Sequence, residues 1–258
     1  MSVMRLAMLG SGSKGNGTLI ESQDTRVLVD CGFSLAESVA RCQRLGVDPA
    51  SITAILVTHE HGDHINGVAR LARKFSIPVW MTHGTYAQWK DRNVPQCERF
   101  DPQAEFAIGA LNITPYAVPH DAREPCQFVI SSQNRARRVG ILSDAGHITA
   151  HMRSALADCD ALLLECNHDP QMLNNGPYHA ALKQRVAGDW GHLSNAQAAT
   201  LLDGYNTARL QHLVLTHLSE TNNDPELARA LMVQALGCDP AYLVCAQQAQ
   251  GLDWREVV

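Results

Sequence analysis

The amino-acid sequence predicts an α/β fold built as one layered domain, and three observations support this. The chain has 258 residues with 45% hydrophobic and 18% charged side chains, an ordinary composition for a globular protein with a sizeable core. Short apolar or β-branched runs alternate with amphipathic segments along most of the length. No internal repeat or low-complexity linker divides the sequence, so we expect one domain over residues 1–258.

The first part of the chain predicts strands followed by a strand–helix alternation. Period-two or continuous apolar patterns predict strands at residues 5–9, 18–22, 26–30, 52–58 and 79–81. A helix over 34–45 starts after the N-cap candidate Ser34 and ends before Gly46. Further helices are expected at 66–75 and 84–90, where apolar residues recur at helical spacing.

The second part predicts three consecutive strands and then a regular alternation. By the same patterns, strands are expected at residues 111–118, 127–132, 138–143, 161–165, 210–216 and 241–245. Helices are expected at residues 150–157, 177–187, 194–204 and 225–236.

Composition narrows the classes of function. The formal net charge of −5 argues against a basic nucleic-acid-binding protein, so any attraction to nucleic acid must come from local Lys and Arg side chains or bound cations. The eight cysteines form no CxxC pair and are expected to be free thiols in a reducing compartment. No apolar stretch has the length of a membrane span, and we expect a cytoplasmic protein without a membrane partner.

The strongest chemical signal is the segment THEHGDH at residues 58–64. His59, His61, Asp63 and His64 place three imidazoles and a carboxylate within six residues, after a predicted strand and before a predicted helix. Imidazole nitrogens and carboxylate oxygens suit Zn²⁺, Fe, Mn²⁺ or Co²⁺. A polar surface loop is the alternative, but this density of ligand-type side chains favours the start of two adjacent metal sites.

Three further residues follow predicted strands later in the chain. These are His120 after 111–118, Asp144 after 138–143, and His217 after 210–216. Side chains at neighbouring strand ends can converge on one point above a rigid sheet, so these residues are candidates for the same centre.

The HxHxDH pattern at a strand end, followed by an ordered His, Asp and His, resembles the metallo-β-lactamase superfamily. That resemblance implies a four-layer αβ/βα sandwich and two divalent metal ions, of zinc, manganese or iron. The ligands it implies are His59, His61 and His120 for one metal, Asp63, His64 and His217 for the other, and Asp144 as the bridge. Asp30, at an early strand end, would orient the ligand loop rather than bind metal.

Three segments narrow the resemblance to one group of bacterial proteins. The chain resembles the YycJ/WalJ group in three segments: GSGSKGN at residues 10–16, GHLSN at 191–195, and HLSETNNDPE at 217–226. The resemblance covers nearly the whole chain. The similarity implies a phosphodiesterase acting on nucleic acid, in particular a 5′–3′ exodeoxyribonuclease. The expected reaction is in-line attack on phosphorus by a hydroxide shared between the two metals, with Asp63 as a catalytic residue as well as a ligand.

A more distant resemblance, to tRNA 3′-processing endonucleases, implies a proton-transferring pair. The matching positions are Glu165 and His192, with His192 donating a proton to the leaving oxygen and either Glu165 or Asp169 holding it in place. The plain alternative for Glu165 is a structural ion pair at the end of a strand.

The glycine-rich opening of the chain matches the dinucleotide-binding fingerprint in its glycine spacing but not in the element that follows. Gly10, Gly12 and Gly15 spell GxGxxG, but predicted strands rather than a helix follow, so we expect no nucleotide cofactor.

Five residues are expected to contact the substrate rather than a metal. The loop of small residues is a candidate for phosphate contacts through backbone N–H groups and polar side chains, and two basic residues precede His192. The expected substrate contacts are Ser11, Ser13, Asn16, Lys183 and Arg185.

Other functions stay open at the level of the sequence. A thioester or lactam hydrolase of the glyoxalase II or β-lactamase kind would use the same centre, and the net charge of −5 mildly favours it. A non-catalytic protein stabilised by metal is a second alternative. An oxygen- or NO-reducing di-iron protein fits less well, because that branch has an acidic residue where His61 stands. The oligomeric state is open.

Overall fold

Two seven-stranded sheets form the centre of the computed structural model, which describes residues 3–239 and 242–258. The strands of the first sheet are β1 (Met4–Gly10), β2 (Gly17–Ser22), β3 (Thr25–Val29), β4 (Ala54–Leu56), β5 (Val79–Thr82), β6 (Cys97–Phe100) and β14 (Leu252–Val257). Those of the second are β7 (Phe106–Ile108), β8 (Leu111–Ala117), β9 (Cys126–Ser132), β10 (Arg138–Leu142), β11 (Ala161–Glu165), β12 (His212–Thr216) and β13 (Leu243–Cys245).

Both sheets have the same mixture of pairings. The spatial orders are β14-β1-β2-β3-β4-β5-β6 and β13-β12-β11-β10-β9-β8-β7. In the first sheet β3 to β6 are parallel, and in the second β10 to β13 are parallel, while the remaining pairs are antiparallel. Each sheet therefore has one edge where several carboxyl ends of strands lie side by side.

Helices cover the outer face of each sheet. They are α1 (Leu35–Arg44), α2 (Gly62–Ile65), α3 (Val68–Phe75), α4 (His83–Gln88), α5 (Ala150–Leu156), α6 (Pro170–Asn175), α7 (Ala180–Val186), α8 (Asn195–Leu201) and α9 (Pro225–Leu236). Apolar residues of α1 and α3 pack on the first sheet, and those of α5, α8 and α9 on the second. The order helix, sheet, sheet, helix confirms the predicted four-layer sandwich.

The alternation of side chains along a strand separates the buried layers. On β11, Leu163 joins the cluster between the two sheets, whereas Leu162 and Leu164 join the cluster under the helices. All three leucines are at most 1% exposed. A strand buried on both faces reads as a continuous apolar run, which is why the sequence predicted this strand at its observed bounds.

Most predicted elements are present, with shifts at their ends. The helix at 225–236 has the predicted bounds, and Ser34 caps α1 in a complete capping box with Glu37. The prediction at 241–245 corresponds to β13, although Ala241 lies outside the described residues.

Two predictions around the ligand segment need correction. The strand expected at 52–58 covers only β4, because the backbone N–H of Thr58 leaves the sheet to donate to the carboxylate of Asp30. The helix expected at 66–75 corresponds to α3 and begins two residues later than predicted, after Gly67, and the short helix α2 before it was not predicted. A Cβ at Gly67 would lie 2.0 Å from the carbonyl oxygen of Phe33, so the chain passes too close there for a side chain.

Four further elements were not predicted. Strands β6, β7 and β14 each lie at the end of a sheet, and α6 is a short helix capped by Asp169. End strands are covered on fewer sides and carry charged residues, as in CERF and LDWREV, so the apolar pattern is weak. Of the helices within the described parts of the chain, none is both long and apolar enough to cross a bilayer.

We predict that Phe128→Ala lowers the free energy of unfolding by about 3–5 kcal/mol, because it removes a ring from the core between the sheets. Phe128 is fully buried on β9. Urea denaturation of the metal-free protein measures the change. The matched control is Leu227→Ala on α9, a position that is 46% exposed, where we expect a change within about 0.5 kcal/mol. Equal losses for the two variants would contradict this account of the core.

Candidate metal centre

The HEHGDH segment connects β4 to α2 at the edge where the parallel parts of the two sheets meet. His61 precedes α2 with extended backbone angles (φ −64°, ψ 147°), whereas Asp63 and His64 lie within the helical turn. The change from extended to helical backbone divides the segment. His59 and His61 join one group of ligand-type side chains, and Asp63 and His64 join another.

The first group consists of His59, His61 and His120. Each offers a ring nitrogen, and these atoms all lie within 4.8 Å of one another. His61 Nδ1 is 3.1 Å from His120 Nε2. His120 belongs to the loop after β8 of the second sheet, so both sheets contribute to this group.

The second group consists of Asp63, His64 and His217. Asp63 Oδ2 lies 3.4 Å from His64 Nε2 and 3.4 Å from His217 Nε2. His217 follows β12 directly, and its backbone N–H donates to the Ser11 hydroxyl at 2.8 Å. That bond fixes the end of a strand of the second sheet to the glycine-rich loop of the first.

Asp144 lies between the two groups. Its Oδ2 is 3.6 Å from His59 Nε2 and 2.5 Å from His64 Nε2, and its Oδ1 is 2.9 Å from His217 Nδ1. The structure therefore brings together all seven residues that the sequence predicted as ligands. Asp144, the residue predicted to bridge the two metals, lies between the two groups.

The donor atoms of this centre fit a divalent cation. His59 Nε2 and both carboxylate oxygens of Asp144 are buried and have no hydrogen-bond partner of acceptable geometry among residues 3–239 and 242–258, although ring nitrogens approach the carboxylate closely. Leaving a buried polar atom unsatisfied costs about 1–3 kcal/mol. A cation bound by imidazole nitrogen and carboxylate oxygen would satisfy these atoms together.

Asp30 orients two ligand-type histidines, His64 directly and His59 through Thr58. His64 Nδ1–H donates to Asp30 Oδ2 at 2.8 Å, which leaves His64 Nε2 as the free nitrogen. The hydroxyl of Thr58 donates to Asp30 Oδ2 at 2.8 Å and therefore accepts from His59 Nδ1–H at 2.9 Å. One buried carboxylate thus sets the tautomer of a histidine in each group.

A backbone carbonyl orients the third histidine of the first group. His120 Nδ1–H donates to the Gly191 carbonyl at 2.9 Å, leaving Nε2 toward His61. Burial lowers the pKa of His120 from its ordinary value, so the ring is neutral and its Nε2 lone pair is available.

Three residues at the centre adopt the left-handed backbone conformation at strand ends. Asp30 follows β3 with φ 61°, Asp144 lies two residues after β10 with φ 53°, and His217 follows β12 with φ 53°. Such angles in residues other than glycine cost of order 1–3 kcal/mol each and concentrate at functional sites. Here they turn side chains at strand ends into the centre.

Burial and neighbouring charges give the residues of the centre different protonation states. Burial, followed by the neighbouring charge of His64, lowers the pKa of His59 well below its ordinary value. Burial alone would raise the pKa of Asp144, but His217 and His64 hold it well below its usual range. Burial opposes protonation of His217, yet Asp144 raises the pKa of that ring well above its ordinary value. A cation entering the second group must therefore displace protons.

The predicted proton-transferring pair is adjacent to this centre. His192 Nδ1 lies 2.8 Å from Glu165 Oε1 and 3.1 Å from Asp144 Oδ1. Glu165 is fully buried at the end of β11, and its Oε2 accepts from the backbone N–H of Ala145 at 2.8 Å. Asp169, the other candidate to hold His192, instead caps α6 by accepting from two backbone N–H groups.

The polar residues of the glycine-rich loop have different positions. Ser13 lines the cleft over the centre. Asn16 and Ser11 are buried: Asn16 Nδ2 lies 3.1 Å from His64 Nε2, and Ser11 accepts from the backbone of His217. The geometry therefore makes Asn16 and Ser11 supports of the ligand groups, while Ser13 faces the cleft.

The two basic residues also differ. Arg185 lines the cleft, and its Nε donates to Asp121 Oδ2 at 2.5 Å. Lys183 is half-buried, and its ammonium donates to the Asn174 carbonyl at 2.6 Å. It is not among the residues that line the cleft.

Three contributors were not found from the sequence. Thr58 relays Asp30 to His59, and Asp121 lies 3.5 Å from His120 Nε2. Asn167 Nδ2 donates to the His217 carbonyl at 3.1 Å. All three are adjacent or close in sequence to predicted site residues, so position beside a ligand at a strand end was the available signal.

Comparison with known proteins agrees with this geometry. The family model described as the beta-lactamase superfamily domain matches residues 25–218. Exodeoxyribonuclease YycJ of Bacillus anthracis is 32% identical over 237 residues, covering 90% of this chain and 89% of that protein. The chain belongs to the beta-lactamase superfamily, within the YycJ and WalJ family. Exodeoxyribonuclease WalJ of Streptococcus pneumoniae strain D39 is also 32% identical, over 90% of this chain and 88% of its own.

Solved structures of the superfamily share the fold. The metallo-beta-lactamase fold protein YhfI from Bacillus subtilis superposes with a TM-score of 0.75 at 18% identity, over 98% of this chain and 99% of that one. The short form of human tRNase Z gives a TM-score of 0.66 at 16% identity, over 98% and 99%. At these identities the likeness concerns the fold alone, and it agrees with the four-layer sandwich.

We predict that Thr58→Val weakens divalent-metal affinity by about 10- to 100-fold, because residues that orient ligands have effects of this size. The substitution removes the hydroxyl that links Asp30 to His59. Competition against a chromophoric chelator measures the affinity. Thr58→Ser keeps the hydroxyl and should stay close to wild type. Equal affinity of the Val and Ser variants would show that the hydroxyl does not orient His59.

Proposed function

We propose that this protein is a phosphodiesterase that uses two divalent metal ions and acts on nucleic acid as a 5′–3′ exodeoxyribonuclease. The observation that carries the proposal is the position of Asp144, which lies between two groups of ligand-type side chains and within 3.1 Å of His192 Nδ1. The names of the relatives YycJ and WalJ, which match about 90% of the chain, support DNA as the substrate.

The proposed metal ligands are the residues of the two groups. His59, His61 and His120 would hold one ion, Asp63, His64 and His217 the other, and Asp144 both. Bound zinc, manganese or iron would supply positive charge beside the scissile phosphate and a nucleophile at neutral pH.

Within this proposal, His192 supplies the proton for the leaving oxygen. Burial alone would lower the pKa of His192, but the nearby carboxylates of Asp144 and Glu165 raise it to about 9. The ring is therefore protonated near neutral pH. Because Nδ1 is held by Glu165, Nε2 is the nitrogen left to donate toward a substrate in the cleft. Asp63, ionised at the rim of the same cleft, keeps its dual role as ligand and catalytic residue.

The substrate contacts follow from the lining of the cleft. Ser13 and Arg185 are positioned to meet a phosphate, and Asp121 keeps the guanidinium of Arg185 beside the centre. Ser11, Asn16 and Lys183 are also proposed as contacts, although Ser11 and Asn16 are buried and Lys183 lies outside the cleft lining.

We further propose that residues 1–258 form one cytoplasmic domain. Strands β1 and β14, from opposite ends of the chain, pair in the same sheet, which supports a single folding unit. Five of the eight free cysteines are buried, which is compatible with a reducing compartment.

We predict that Asp144→Ala abolishes hydrolysis and lowers the metal content, because the variant removes the carboxylate shared by the two groups. Elemental analysis of purified protein gives the stoichiometry, and release of nucleotides from end-labelled DNA gives the activity. Two metal ions per chain in wild type and at most one in the variant is the expected result. Unchanged stoichiometry would remove Asp144 from the ligand set.

We predict that His192→Ala lowers the hydrolysis rate by at least about 100-fold, the usual contribution of a general acid, while both metals stay bound. A substrate with a good leaving group, bis-p-nitrophenyl phosphate, should lose less rate because it needs less protonation. His168→Ala is the control, since it alters a nearby buried histidine outside both ligand groups. Hydrolysis of DNA by the His192 variant at the wild-type rate would exclude the donor role.

The substrate class is tested by digestion of end-labelled DNA and RNA, with and without a 5′-phosphate, after the bound metals have been measured. Stepwise removal of nucleotides from DNA 5′ ends is the expected result. Failure to cleave any of these, together with turnover of a thioester, would replace the proposal by the thioester hydrolase alternative. Failure with both classes would favour a metal-stabilised binding protein.

A further inference from the structure

An exposed tryptophan stands beside the catalytic cleft. Trp190 is 62% exposed, whereas the other large hydrophobic side chains exposed within the described parts of the chain, Val3, Leu227 and Val258, are aliphatic. An indole that is left in water forgoes a large hydrophobic gain, because aromatic side chains bury 150–250 Å² each when they pack. The position of such a group therefore points to a partner.

The backbone that carries Trp190 accepts hydrogen bonds at three successive carbonyls, one of them from His120 of the metal centre. The Asp189 carbonyl accepts from His147 Nδ1–H at 3.0 Å, and the Trp190 carbonyl accepts from the Asp121 N–H at 3.0 Å. The next carbonyl, of Gly191, accepts from His120 Nδ1–H. The segment cannot shift without moving ligands, so the exposed indole is carried on a rigid support.

The surroundings of Trp190 have the features of a nucleic-acid strand site. Gly191 and His192, the two residues that follow it in the chain, line the cleft, and Tyr178 and Arg185 line the same cleft. None of the α7 residues beside it is buried. Aromatic faces combined with a cation are what proteins use to hold single strands, because every base has a face that can stack.

We propose that Trp190 is a stacking platform for an unpaired nucleobase next to the scissile phosphate, so that the enzyme takes DNA ends whose terminal bases are unpaired. This inference rests on the proposed function and assigns its substrate preference. Stacking on an aromatic face would add binding free energy that does not depend on the net charge of the chain, which is −5.

The first experiment pairs protein variants with substrate variants. Wild type, Trp190→Ala, Trp190→Phe and the matched exposed control Leu227→Ala are assayed on single-stranded DNA with normal or abasic terminal positions. We expect Trp190→Ala to lower kcat/KM on normal DNA by about 5- to 150-fold, the range known for loss of one base-stacking contact. Trp190→Phe should keep most of the rate, and Leu227→Ala all of it.

The abasic substrate isolates the contact from any structural effect. Because it has no base to stack, wild type and Trp190→Ala should cleave it at equal rates. An equal loss on normal and abasic DNA would overturn the proposal, as would equal rates of wild type and Trp190→Ala on normal DNA.

The second experiment reads binding without hydrolysis. Oligothymidylate is added to metal-free wild type and metal-free Trp190→Phe, and tryptophan emission is recorded. We expect quenching in wild type that is largely lost in Trp190→Phe and with an abasic oligomer. Quenching with no cleavage of DNA by the metal-loaded enzyme would support the platform while rejecting the proposed function. Equal emission changes in both proteins would reject the platform. The platform would also be rejected if wild type self-associates, Trp190→Ala does not, and the two bind bases equally, because Trp190 would then contact a second copy of the chain.

Discussion

The buried carboxylate of Asp144 controls the electrostatics of the whole centre. It lies within 3.6 Å of His59, His64 and His217, which come from both sheets. Without that negative charge, several imidazoles would be crowded together in a region of low dielectric with less negative charge nearby to balance a bound cation. The left-handed backbone of Asp144 at the end of β10 is the local cost of placing the carboxylate there.

Asp30 has the complementary role behind the ligands. It accepts from His64, from the Thr58 hydroxyl and from the Thr58 backbone N–H, so its oxygens are satisfied although the residue is only 4% exposed. This network directs the free nitrogens of two histidines before any metal arrives. Ligand-type side chains that are oriented in advance would lose less entropy on binding a cation.

The face-to-face packing of two similar sheets explains where the centre lies. Parallel strands of each sheet end at one edge, and the residues that follow those ends supply nearly all of the groups involved. The carbonyls of residues 189–191 then connect the second-sheet ligand His120 to the loop that bears Trp190 and His192. The proposed catalytic groups and substrate contacts thus lie on one edge of the two sheets.

The sequence by itself determined the sandwich class, most of the strands and helices, and the seven ligand-type residues. Buried strands such as β11 are apolar on both faces, and ligand chemistry requires a small set of residue types, so both leave a local pattern. Strands β6, β7 and β14 at the sheet ends left no such pattern, because they are covered on fewer sides.

Only the tertiary structure decided which of the polar neighbours act together. The relay through Thr58, the choice of Glu165 over Asp169 beside His192, and the separation of Lys183 from the cleft depend on contacts between residues distant in sequence. A hydroxyl or carboxylate reads the same in sequence whether it caps a helix or orients a ligand. Its role follows from the partner that the packing of the two sheets brings within hydrogen-bond distance.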